Sequence, residues 1–467
     1  MKFSSDTIIG LEVHVELNTE TKLFCACARK GSDEPNTRTC PICLGHPGSK
    51  PVLNKTAVEY ALKLAVATGC KVSKHIIFSR KSYFYPDMAK NYQISQYEEP
   101  LAQNGKITLS SGKEIRLKRI HMEEDPAALV HPFGIGGGYL LVDYNRSGNP
   151  LVEVVTEPEL TSPEEARDFM KQLLSILSYL KIFDLDSCIV KADANISIKE
   201  SGYTRVEIKN ITGFKEIERA LKYELERHRK TDKIHTETRA WDSSKGITFS
   251  LRSKESEEDY GYIFDPDLPP VHITEDMLEN IYASIPELAR DKKERFIKYY
   301  NLPADDAAII SAQIEMAELF EKVAAKISPR LAAKWLRREL ARVMNYNSID
   351  FADLQIDETH LIELLELVER KEITDATAQK ILEMLIEKPF KVREYVEAYN
   401  LKVVSDEDSI EKWCREAINE NPEAVADYKK GQEKSLNFII GKVMRKSRGT
   451  ADPARVRSLL SELIKNN

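Results

Sequence analysis

Two thiol pairs are the first residues whose types and spacing point to specific chemistry. Cys25-Ala26-Cys27 and Cys40-Pro41-Ile42-Cys43 are separated by twelve residues. Tetrahedral zinc takes four thiolates at about 2.3 Å, and two short pairs presented by two turns supply that geometry. With Cys25, Cys27, Cys40 and Cys43 all bound, no coordination position is left for a water, so the expected zinc is structural rather than catalytic. The other three cysteines, Cys70, Cys188 and Cys414, are isolated in sequence. An odd total of seven, together with an opening MKFSSDTIIG that lacks an apolar signal core, reads as reduced thiols and one metal site rather than a disulfide framework.

A second pattern is made of oxygens. Glu12, His14 and Glu16 alternate with Leu11, Val13, Val15 and Leu17, which places the three polar groups on one face of a strand. Taken alone, such a segment reads first as a solvated sheet face. The pattern recurs, however, in Asp193, Asn195 and Ser197 and in Arg205, Glu207 and Lys209. His121-Met122-Glu123-Glu124-Asp125 ends a strand with three consecutive carboxylates, and Asp143, Asn145 and Glu153 flank a turn. Several carboxylate-rich faces could line one cradle. Hard cations such as Mg²⁺ take oxygen ligands and bridge to phosphates, so the pattern suits phosphoryl transfer from ATP, with Arg80 and Lys81 as candidate charge clamps. The run Gly134-Ile135-Gly136-Gly137-Gly138 lacks the Lys-Ser/Thr of a phosphate loop and lies between apparent strands, so it reads as a hairpin turn.

These groups need elements to position them. The 467 residues suggest two to four domains, and a hydrophobic share of 42% suffices for packed cores. Before residue 287, IIGLEVHVEL, ITLSSGKEIRLKRI, GYLLVDYN, NISIKE, TRVEIKNI and GITFSLRS read as strands, interrupted by two helices. One opens with Ser162-Pro163-Glu164-Glu165, a capping box with proline at the first helical position; the other covers residues 215–228. After residue 287 helical patterns dominate: Leu361, Leu364, Leu365 and Val368 make one stripe, and Leu302-Pro303, Ser328-Pro329 and Lys388-Pro389 punctuate the segments. A last unit starts near Val404-Ser405-Asp406. The expectation is an α+β chain: residues 1–286 an antiparallel-sheet cradle with the zinc clip, 287–405 a helical domain, 406–467 a small helical tail.

A net charge of −7 argues against a surface coated in basic residues, and no run approaches the ~18 apolar residues of a membrane span, so a cytoplasmic protein without a membrane partner is expected. The tail is the exception in charge. Residues 429–467 carry ten Lys/Arg against three acids, a local excess of seven. Within it, Gly441-Lys442-Val443-Met444-Arg445-Lys446-Ser447-Arg448-Gly449 sets small residues beside cations, which suits phosphate contacts; a solvated helix face is the alternative.

In chain order, Ile9-Gly10-Leu11-Glu12-Val13-His14-Val15-Glu16-Leu17, Arg80-Lys81-Ser82-Tyr83-Phe84-Tyr85-Pro86-Asp87, Tyr92-Gln93-Ile94-Ser95-Gln96, His121-Met122-Glu123-Glu124-Asp125, Asp193-Ala194-Asn195-Ile196-Ser197, Val206-Glu207-Ile208-Lys209-Asn210 and Asp265-Pro266-Asp267-Leu268-Pro269-Pro270 resemble the B-subunit family of heterotrimeric tRNA-dependent amidotransferases. The resemblance runs from the first strand to the tail. It implies a glutamine-synthetase-like cradle, a helical domain and a tail that contacts the tRNA body through Lys442, Arg445, Lys446 and Arg448. The implied reaction is ATP-dependent: the side-chain carboxylate of a misacylated Asp-tRNA(Asn) or Glu-tRNA(Gln) is phosphorylated, and ammonia displaces phosphate. It further implies an amidase (A) subunit supplying the ammonia and a small C subunit. Some family members lack the zinc cysteines; this chain has all four. The related archaeal E subunit carries a large inserted domain, for which there is no room before residue 287.

Within the matching blocks, Glu12, His14, Glu124, Asp193 and Glu207 are the expected Mg²⁺ ligands and, with Lys81, the catalytic set. Arg80, Lys81, Tyr83, Glu123, Asn195 and Lys209 are the expected nucleotide contacts. A small-molecule carboxylate–amine ligase would not need the basic tail, and a non-catalytic zinc-stabilised RNA-binding module would not need polar faces on several strands.

Overall fold

The computed structural model describes residues 5–130, 139–231, 233–253, 260–404, 406–447 and 449–466. The glycine run at 134–138 and Arg448 lie outside the described residues. The chain divides after Leu288 into two compact units.

The first unit is built on a nine-stranded sheet. Its strands, in chain order, are β1 (Thr7–Glu16), β2 (Lys71–Val72), β3 (Ala102–Thr108), β4 (Glu114–Glu124), β5 (Pro150–Thr156), β6 (Val190–Ile198), β7 (Val206–Thr212), β8 (Glu237–Asp242) and β9 (Ile247–Ser253). They lie side by side in the order β9-β8-β7-β6-β1-β5-β4-β3-β2. Every neighbouring pair is antiparallel except β7 and β8, so the sheet is mixed. β1 sits near the middle because it is apolar on alternate positions: Ile9, Leu11, Val13 and Val15 are buried in the main core. That core also takes in the apolar stripes of α1 (Lys55–Ala67), α2 (Pro163–Tyr179) and α3 (Phe214–Lys230). The helices thus cover one face of the sheet, and the polar positions of β1 are left for the other.

Two helices of this unit depart from the sequence reading. α1 and α4 (Glu275–Ser284) were not expected beside α2 and α3. α1 is locally well specified: the Asn54 side chain caps it by accepting from the Ala57 amide at 3.2 Å, and Ala57, Val58, Ala61, Leu62, Leu64 and Ala65 are buried. At the start of α2, Ser162 Oγ accepts from the Glu165 amide at 3.1 Å, as a capping box requires. The glutamate, however, accepts from the Thr161 amide at 2.8 Å rather than from that of Ser162. Gly105, on β3, is needed for close approach: a Cβ there would collide with Cys70 Sγ and come within 2.9 Å of the Thr68 carbonyl.

The second unit is helical. One core gathers residues between Phe296 and Val396, including Leu361, Leu364, Leu365 and Val368 from the Glu358–Glu369 helix. A separate core gathers residues between Ile410 and Ile464. Pro303 precedes the Ala304–Ser311 helix, Pro329 starts the next-but-one, and Pro389 follows the Asp375–Glu387 helix, each where a missing amide is tolerated. Among the described residues no helix is long and apolar enough to cross a membrane.

Candidate functional site

Strand pairing assembles the polar face in rows. Lys191, His14, Glu153 and His121 stand opposite one another across β6, β1, β5 and β4. Asp193, Glu12, Val155 and Arg119 form the next row, and Glu16, Leu151 and Glu123 the row on the other side. Opposite residues on paired strands share a face, so these side chains emerge together.

Two groups of ligand atoms result. His14, Glu123 and Glu153 form one; Glu12, Asp193 and Glu207 form the other. Within each group the atoms lie within 4.8 Å of one another. His14 joins them: its Nδ1 lies 2.9 Å from Glu123 and its Nε2 3.9 Å from Asp193. Burial acts to lower the His14 pKa, but its bonds to Asp193 and Glu123 hold it well above the usual range. His121 Nε2 lies 2.9 Å from Glu153. Burial acts to raise the Glu153 carboxyl, and the charges of His121 and His14 hold it well below the ordinary value. Asp193 is likewise held low, against its burial, by Lys209 and His14. The Lys209 ammonium sits 2.7 Å from Asp193 and 2.8 Å from Glu207. Glu12 is pushed up, first by burial and then by Glu153.

Of the residues expected from sequence to bind magnesium, Glu12, His14, Asp193 and Glu207 come together and Glu124 does not. Its place is taken by Glu123. Alternation along β4 puts Glu123 and His121 on the polar face and turns Glu124 away, where its carboxylate is buried against Lys90 and accepts from the Ile94 amide at 2.9 Å. Glu16 also leaves the pattern, because Arg29 and Asn149 take one of its oxygens and the Ile189 amide the other. Glu153, which the sequence offered only as a residue flanking a turn, belongs to one of the groups, and His121 stands just outside them, 2.9 Å from Glu153.

Among the expected nucleotide contacts, Glu123, Asn195 and Lys209 are on the polar face, where Asn195 donates to Glu12 at 3.3 Å. Arg80, Lys81 and Tyr83 are on or beside a separate three-stranded sheet of Ser79–Ser82, Tyr92–Ser95 and Ile263–Phe264. Arg80 is bound to Asp265 at 3.0 Å and Asp267 at 2.9 Å, Lys81 lies over the Tyr260 ring, and Tyr83 stacks on Tyr85.

The four sulfurs of Cys25, Cys27, Cys40 and Cys43 also lie within 4.8 Å of one another. The Cys40–Cys43 separation is 3.9 Å; four thiolates at about 2.3 Å from a tetrahedral centre would be ~3.8 Å apart. The donor set therefore fits zinc. The hydrogen bond from Cys25 pulls the Cys43 thiol down to about 4, with the Lys22 ammonium adding to the effect; the same contact pushes Cys25 up. Asp143 and Asn145 serve this loop: they accept from the Asn36 and Arg38 amides at 3.0 and 2.8 Å.

In the tail, Arg445 is exposed on the Glu433–Lys446 helix and Lys442 lies over the Phe438 ring. Lys446 is paired with Glu416 at 3.2 Å and Glu420 at 2.8 Å.

Residues 7–279, more than half of the chain, match the family described as the GatB/GatE catalytic domain, and residues 318–464 match the GatB domain. The chain is 42% identical over 471 residues to the B subunit of the aspartyl/glutamyl-tRNA(Asn/Gln) amidotransferase of Caldanaerobacter subterraneus, covering 98% of each chain. It is 42% identical over 475 residues to the protein of the same name from Thermodesulfovibrio yellowstonii, and 41% to that of Persephonella marina; each alignment covers 98% of this chain and 99% of the relative. The two domain matches, in this order along the chain, and the near-complete alignments agree: the chain belongs to the GatB family, the B subunits of tRNA-dependent amidotransferases, which are carbon–nitrogen ligases.

Proposed function

We propose that this chain carries out the ATP-dependent transamidation of Asp-tRNA(Asn), Glu-tRNA(Gln) or both. The observation that carries the reading is the pair of adjacent carboxylate-rich groups, His14 with Glu123 and Glu153, and Glu12 with Asp193 and Glu207. Each offers three oxygen or nitrogen donors, which suits Mg²⁺ binding with positions left for water and phosphate. Bound there, the metal would offset negative charge on the phosphoryl oxygens.

In the proposed reaction the substrate's side-chain carboxylate attacks the γ-phosphoryl group, the bond to ADP breaks, and a carboxyl phosphate forms. Ammonia then attacks the acyl carbon, a proton is lost, and phosphate leaves as the amide forms. His14 would hold Glu123 and Asp193 in place between the two groups, and Lys209 would fix Asp193 and Glu207 against their mutual repulsion. Cys25, Cys27, Cys40 and Cys43 would hold a structural zinc. An amidase subunit would supply ammonia, a small C subunit would complete the assembly, and the setting is the cytoplasm. The tail, residues 406–467, would bind the tRNA body through Lys442 and Arg445, with Lys446 partly neutralised by its glutamates.

The test is ATP hydrolysis by the assembled enzyme. Misacylated tRNA should stimulate it and free glutamate or aspartate should not; His14→Ala should abolish amide formation. Equal stimulation by the free amino acids would favour a small-molecule ligase instead. Removing residues 406–467 should raise the KM for tRNA and flatten its salt dependence, with a smaller effect on kcat.

A further inference from the structure

The cations singled out from sequence as phosphate contacts are largely occupied. Arg80 is held by Asp265 and Asp267, and Lys209 by Asp193 and Glu207. Arg205, also on the polar face, donates to Asn195 at 2.8 Å. Two further cations reach the same face through strand register. Lys191 stands directly opposite His14, and Arg119 stands opposite Val155, which is itself opposite Glu12. Among the described residues neither side chain makes a hydrogen bond or an ion pair, and Arg119 Nε is buried without a partner. The nearby acids are committed elsewhere: Glu153 to His121, Glu123 to His14, and Asp125 to Arg146 at 2.9 Å. The charge of Lys191 reaches Asp125 and Asp87 only through space.

Arg119 and Lys191 therefore flank the two carboxylate groups from opposite sides. Three strand spacings across the sheet and a two-residue offset along it separate their backbones by about 16 Å. A buried donor left unmatched is costly, and an anionic oxygen is the partner that relieves the cost best at a guanidinium. The separation suits an extended anion gripped at two points rather than one oxygen held by a single fork. We propose that Arg119 and Lys191 form a clamp for the phosphate chain of a nucleoside triphosphate, Arg119 as a planar fork and Lys191 as a point charge. This rests on the phosphoryl-transfer reading above and adds to it the two positive groups that face the anion.

The experiment uses the assembled enzyme with ATP and Mg²⁺. Wild-type enzyme is assayed first; no tRNA-stimulated ATP hydrolysis there would remove the functional reading itself. Given an active wild type, Arg119→Gln and Lys191→Gln should each lower kcat/KM for ATP about tenfold or more. Each should also weaken ATP binding measured by equilibrium dialysis without tRNA. Arg119→Lys keeps the charge and loses the fork, so it should recover part of the binding; it also serves if Arg119→Gln fails to fold. Variants that bind ATP as tightly as wild type, or whose only change is a lower Tm, overturn the clamp.

Discussion

Arg29→Met should loosen the first unit far more than an ordinary surface arginine would. Arg29 is 2% exposed and Glu16 3%. The guanidinium donates to the Thr19 carbonyl at 2.9 Å, to the Ser187 carbonyl at 2.8 Å, to Asn18 Oδ1 at 2.7 Å and to Glu16 Oε1 at 3.2 Å. It thereby ties the end of β1 to the loop after Asp184 and to the turn that leads into Cys25 and Cys27. Removing it leaves a buried carboxylate without its counter-charge, which costs about 3–5 kcal/mol. Glu16→Gln in the same chain should restore most of this. The new amide can accept from the Ile189 amide, and a flipped Asn149 side chain can present its oxygen, which has no partner now. Hydrogen exchange of the β1 and β5 amides measures the opening free energy of this unit without assuming that the whole chain unfolds in one step. A loss below ~1 kcal/mol in Arg29→Met, or a double variant no better than the single one, would refute the reasoning.

The purified chain should hold about one zinc, and Cys40→Ser with Cys43→Ser should lose it; full metal retention by elemental analysis would contradict the tetrathiolate assignment. Gly105→Ala should destabilise the β3 edge by about 1–3 kcal/mol, because the added methyl meets Cys70 and the Thr68 backbone; paired with Cys70→Gly it should be tolerated better, as thermal melts would show. Asp357 caps the Glu358–Glu369 helix by accepting from the Thr359 and His360 amides, so Asp357→Ala should cost about 1 kcal/mol near neutral pH. Its carboxyl is pulled down to about 2, chiefly by the Thr359 hydroxyl. The cap is therefore fully present above the unfolded-state value near 4 and lost as pH falls through about 2, and acid titration of both chains should show their difference closing over that window.

The sequence by itself determined what depends on near neighbours. The alternation in IIGLEVHVEL selects a strand with one apolar face, the i, i+3, i+4, i+7 stripe at Leu361 selects a helix, and two cysteine pairs separated by twelve residues bring four sulfurs within zinc-binding reach. α1 is legible too, in its alanine-rich stripe and its asparagine cap, although no chemistry-bearing motif marks it between the zinc loop and the block at Arg80. The tertiary structure decided which polar residues meet. Glu123 and Glu124 are adjacent and chemically alike, so only the pairing of β4 with β5 places one beside His14 and leaves the other against Lys90. Glu16 follows the same alternation as Glu12 and His14, yet Arg29, thirteen residues on, claims it. Lys191 and Arg119 carry no local signal at all; they reach the polar face because β6 and β4 pair in this register with β1 and β5. A one-residue slip in either pairing would send the same side chains into the core, and register is set by contacts distant in sequence.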